Sequence, residues 1–111
     1  MYSVYGLHVY QYFMYVLQFN PKSGPHLGGT MVTIEGRNLG KDFRQVRDGV
    51  RVGGRQCRVL EARYEPSVRL VCETAGGTLQ PARDVVKVKV EAGDNGPEAV
   101  TTDMFSFKVR L

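Results

Sequence analysis

The chain has 111 residues, 42% of them apolar and 23% charged, with 13 glycines and no Trp; that is enough for one soluble domain with a modest core. Its formal net charge of +4 arises wholly from position 22 onward, because no Lys, Arg, Asp or Glu precedes Lys22. The glycine content argues for many turns and against a bundle of long helices.

Residues 1 to 20, "MYSVYGLHVYQYFMYVLQFN", hold five of the six tyrosines. A signal peptide needs a basic start and an unbroken apolar run, but Gly6, His8, Gln11 and Gln18 interrupt this one. As a membrane-spanning helix it would strand tyrosine and glutamine groups in lipid. Residues 1–15 are expected to be a leader, unstructured or foreign to the domain, and only the end of the segment enters the fold.

"TMVTIEG" then alternates, with Val32 and Ile34 on one face and Met31, Thr33 and Glu35 on the other. This is the period of a half-buried strand. The stretch from Lys41 to Val50 is the best helical candidate, and Gly49, Gly53 and Gly54 cut it short. "GVRVGG" places Val50 and Val52 inward and Arg51 outward, and "VRLVCET" sets Leu70 and Cys72 against Val71. "DVVKVKVEAG" has Val86, Val88 and Val90 on one face and Lys87, Lys89 and Glu91 on the other. "DNGP" at 94–97 reads as a turn. "MFSFKVRL" turns Phe105, Phe107, Val109 and Leu111 inward. Six or seven short strands at this spacing describe an all-β, antiparallel sandwich.

No catalytic set emerges. Ser23 and His26 lack a third member, and "SGPHLGGT" lacks the Lys-Ser/Thr ending and the following helix of a phosphate loop. Asp94 stands without a calcium-ligand series. No Asn-x-Ser/Thr occurs. Two cysteines with only His8 and His26 upstream make no zinc spacing, and neither metal nor cofactor is expected. The spacing of Cys57 and Cys72 leaves open both a disulfide and two buried thiols. A bond would add about 3 kcal/mol through loop closure and would place the chain in an oxidising compartment.

"FNPKSGPHLGGTMVTIEGRNLG" resembles the opening of an IPT/TIG domain, an immunoglobulin-like fold of plexins and transcription factors. The matching positions are Phe19, Pro21, Gly24, Pro25, Gly28, Gly29, Thr30, Gly36, Asn38, Leu39 and Gly40. Prolines stiffen the entry, Gly28 and Gly29 permit unusual backbone angles, and Asn38 with Gly40 suits a tight turn. Phe43, Val46, Val50, Val52, Gly54, Cys57, Leu70, Val71, Cys72 and Thr74 continue the likeness, in the pattern of a plexin IPT repeat. It runs from about Val16 to Leu111 and thins to the strand pattern alone after Gly77.

The resemblance implies a domain over 16–111, an immunoglobulin-like sandwich of about seven strands and a structural Cys57–Cys72 bond. It implies a non-catalytic extracellular module in the stalk of a single-pass semaphorin receptor. Adjacent domains of the same receptor would be its partners, with semaphorin-type ligands or co-receptors engaged through the full ectodomain. Nucleic acid would not be a partner, and this stretch would not insert into the membrane. The alternative is a TIG domain of a DNA-associated regulator, with Arg37, Lys41, Arg44, Arg47, Arg51, Arg55 and Arg58 as phosphate contacts. A carbohydrate-associated sandwich is a third reading, and it lacks an aromatic platform.

Overall fold

Where the sequence alternates, the backbone is extended. The computed structural model describes residues 14–90 and 97–109. In chain order the elements are β1 (Tyr15–Asn20), β2 (Ser23–Pro25), β3 (Met31–Arg37), a single helical turn α1 (Phe43–Val46), β4 (Val50–Val52), β5 (Arg55–Val59), a 3-10 turn (Glu61–Arg63), β6 (Arg69–Thr74), β7 (Ala82–Lys89) and β8 (Glu98–Lys108). The stretch from Lys41 to Val50 yields only α1. Asp42 caps it by accepting from the Arg44 N–H, and it buries one side chain, Val46.

The strands hydrogen-bond in the order β1-β3-β6-β5-β4-β7-β8-β2. The sheet curls so that its two halves face each other across one core. Phe19, Val32, Ile34, Leu70, Cys57 and Cys72 come from one half, and Val50, Val52, Val86, Val88, Phe105 and Phe107 from the other. β5 makes the fold between the halves. Arg55 and Gln56 pair with β4, while Cys57, Arg58 and Val59 pair with β6. The N-terminal chain bridges the opposite side. β1 lies against β3, the chain passes a cis Asn20–Pro21 bond, and β2 then pairs with β8.

The all-β immunoglobulin-like sandwich is thus the observed architecture, with three differences from the expected strand set. There are eight strands among the described residues, and β2 runs parallel to β8. The last strand also begins at Glu98, well before the expected Met104. Val109 is half-buried, whereas Leu111 and the core of the expected turn at 94–97 lie outside the described residues.

The inward faces are as the alternation requires: Val32, Ile34, Val50, Val52, Leu70, Cys72, Val86, Val88, Phe105 and Phe107 are all at most 1% exposed. Val71 is buried too, although it faces outward. It lies between Thr33 and Leu60 across the strands and between Arg69 and Glu73 along its own, where long side chains lend their apolar stems as cover.

Candidate functional site

Cys57 and Cys72 are joined, with Cα atoms 5.4 Å apart. They are not directly opposite in the ladder: Cys57 faces Thr74, and Cys72 faces Val59. The bond therefore runs diagonally between β5 and β6, on the core side of the sheet, and both sulfurs are buried. No free cysteine remains.

The entry-motif residues fall into two groups at opposite ends of β3. At one end, Gly24 pairs with Phe107, Pro25 ends β2, and Gly28 and Gly29 have φ of +83° and +84°. The Gly29 N–H donates to the Thr74 carbonyl at 2.8 Å, and the Thr30 N–H to the Thr74 hydroxyl at 3.0 Å. Pro21 is exposed after the cis bond. At the other end, the Gly36 N–H donates to Val68, and Asn38, at φ 59°, donates its N–H to the Ser67 hydroxyl. Leu39 and Gly40 are buried. The Tyr64 hydroxyl donates to the Leu39 carbonyl at 3.0 Å. Burial pushes that hydroxyl above its ordinary pKa; a backbone hydrogen bond at Ser67 opposes the shift, and the Asp42 charge adds to it. The motif thus ties loops to the two ends of a strand and does not converge on one cleft.

The outer faces differ in charge. Over β1-β3-β6-β5, Glu35 accepts from Gln18 and from Arg69, whose Nη2 lies 2.8 Å away, and Arg69 also reaches Glu65 at 2.5 Å. Arg69 holds the Glu35 carboxyl below its usual range, and Gln18 adds to this. Arg58 pairs with Glu73. This face is balanced.

Of the basic residues considered for phosphate contact, Arg44 pairs with Asp42 at 3.1 Å, Arg47 with Asp48 at 3.3 Å, and Arg58 with Glu73. Arg37 donates to the Gly36 carbonyl, and Arg51 to the Gly54 carbonyl. Arg55 stacks 3.8 Å above the buried Phe107 ring and donates to the His26 carbonyl at 2.7 Å. Lys41 is exposed in the loop before α1. Six of the seven are thus engaged by neighbouring groups of the same chain. Among the described residues no group of three or more His, Cys, Asp or Glu is placed to hold a metal ion, and no helix is long and apolar enough to cross a membrane.

Known proteins resemble the chain in the same way. Plexin-A4 of Danio rerio is 35% identical over 83 residues, covering 75% of this chain, and human Plexin-A3 is 47% identical over 79 residues, covering 71%. The chain spans only 4% of the length of either relative. The solved plexin A4 full extracellular region, domains 1 to 8, superposes with a TM-score of 0.79 at 30% identity, over 86% of this chain and 10% of that one. The IPT/TIG domain family model matches residues 14–109; with the sandwich and its entry motif in place, the chain belongs to the IPT/TIG family.

Proposed function

We propose that the chain is a non-catalytic, extracellular immunoglobulin-like module of a plexin-type semaphorin receptor, which sets spacing and angle in the stalk and contacts neighbouring domains. The observation that carries this reading is the buried Cys57–Cys72 bond within an IPT fold. A disulfide of this kind persists in oxidising surroundings and is rare in the cytosol. Similarity to the plexin A4 extracellular region supports the same location. Semaphorin-type ligands belong to the full ectodomain in this reading, and adjacent domains of the same receptor are the immediate partners. The dispersal of Arg44, Arg47 and Arg58 into local ion pairs favours the module over a DNA-binding TIG domain.

The test is to express the chain through a secretory pathway and count thiols by alkylation and mass measurement. The reading expects no alkylated cysteine in the folded, unreduced protein and two after reduction. Two reactive thiols in a folded, secreted protein would overturn it.

A further inference from the structure

The second outer face of the sandwich, over β4, β7 and β8, is not balanced. Arg51 and Lys87 are directly opposite in the β4–β7 ladder, and the other strand neighbours of this pair are Gln56 and Val100, neither of them acidic. Like charges in that relation destabilise a sheet. Lys89, Arg83 and Lys108 continue the face, by their place in the same registers. Glu98 is its one acid among the described residues, and although it is the cross-strand partner of Lys89 it forms no ion pair with it. On the opposite outer face Glu35, Glu65 and Glu73 answer Arg69 and Arg58. One molecule thus pairs its charges on one side and leaves cations uncompensated on the other.

From this contrast we propose that the β4-β7-β8 face binds a sulfated glycosaminoglycan. A sheet face carrying cations on three adjacent strands suits a flexible polyanion whose sulfates meet several side chains at once. The centre of the face is the Arg51–Lys87 pair, and the exposed Val100 and Met104 stand to its β8 side. Protein interfaces have the reverse arrangement, with an apolar centre from which Lys is depleted. Among the described residues no Tyr or Phe is exposed on this face to stack bases, as single-stranded nucleic acid binding requires. The choice of a sulfated glycan over duplex DNA rests on the extracellular reading above.

The test titrates the folded chain with fluorescent heparin, fully desulfated heparin and duplex DNA at low and physiological salt. Heparin should bind most tightly, with affinity that falls as salt rises, and desulfated heparin should bind at least about tenfold more weakly. Lys87→Glu should weaken heparin binding about tenfold. The same change sets a carboxylate opposite Arg51, so it should raise the thermal midpoint by about 1–2 °C. Arg44→Glu, outside the face, should change heparin affinity less than about twofold. Opposite signs in stability and binding are what a merely structural Lys87 would not produce. Heparin binding that is absent at low salt, insensitive to desulfation or unchanged in folded Lys87→Glu protein overturns the proposal, and so does tighter binding to duplex DNA. A chain with its disulfide formed but no heparin affinity defeats this inference alone. Free thiols in a chain that still binds heparin defeat the module reading instead.

Discussion

Cys57 and Cys72 are linked on the diagonal of two neighbouring strands, each opposite the other's second neighbour along the strand. The crosslink sits where β5 leaves one half of the sandwich for the other. It pins the turning strand to β6 from the core side, where no solvent reaches it. Replacing both cysteines by Ala should lower stability by about 3 kcal/mol, from restored loop entropy in the unfolded chain. Urea unfolding of the double variant beside the oxidised protein measures the loss.

Gly28 and Gly29 separate two effects that sequence confounds. Both have φ near +84°. A Cβ on Gly28 would come within 2.5 Å of the Gly76 backbone nitrogen, whereas one on Gly29 would meet nothing within 4 Å. Gly29→Ala should therefore cost about 1 kcal/mol for backbone strain alone. Gly28→Ala should cost about 3 kcal/mol, because rigid backbone must also move. Equal unfolding midpoints for the two variants would contradict the packing described for this loop.

Arg55 acts as a structural brace. Its guanidinium covers the Phe107 ring and holds the His26 carbonyl, so it joins the start of β5 to the loop after β2. Arg55→Ala should lose about 2 kcal/mol. Arg55→Lys should recover only part of this, since an ammonium lacks the planar stacking surface. Arg44→Ala, which removes an exposed pair with Asp42, should leave the unfolding midpoint nearly unchanged.

Tyr64 should make stability sensitive to alkali. Burial raises its pKa, so the folded state holds the phenolic proton more tightly than the unfolded chain does. Its contribution is fully present below the ordinary value of about 10 and is lost as pH rises through the higher folded value. Tyr64→Phe should cost about 1 kcal/mol at neutral pH by deleting the bond to Leu39. It should also flatten the decline in thermal midpoint above pH 10, measured as a difference from the parent chain.

Glu35 gives the acid counterpart. Arg69 lowers its pKa, so its contribution is present above the ordinary value of 4.5 and is lost as pH falls through the lower folded value. Thermal midpoints of Glu35→Gln and parent protein, compared between pH 7 and pH 3, should converge toward the acid end. The difference at pH 7 should shrink in high salt, because the pair is exposed.

The strands with clean alternation were legible because each turns one face to the core without interruption: Val32 and Ile34, Val50 and Val52, Val86 and Val88. β1 was not, for a reason visible in its register. The ladder shifts between Val16 and Gln18, so the core-side residues Val16 and Phe19 are three apart and the period of two is broken. The upper part of β8 was hidden differently. Its core side there carries only the small Ala99, opposite Val88, and Thr101, whose hydroxyl accepts from the Val86 N–H and donates to the Asp103 carbonyl, so no large apolar residue marks the inward face. The entry motif showed which residues form turns, yet not that they divide between the two ends of β3. The cationic face was invisible for a more general reason: Arg51 and Lys87 become neighbours only through register, which neither local sequence reveals.

The path of the N-terminal chain has a mechanical result. β1 runs from Tyr15 toward the pole where β8 ends at Lys108, and β2 finishes beside that end in parallel. Tension entering at Tyr15 and leaving at Lys108 drags β2 and β8 in opposite directions along their shared ladder. Its rungs then carry load in shear, all together, instead of opening one after another like a zipper. Resistance to such a pull is set by the rate of unfolding, so three short rungs and the β1–β3 ladder decide how long the sandwich keeps its length under load.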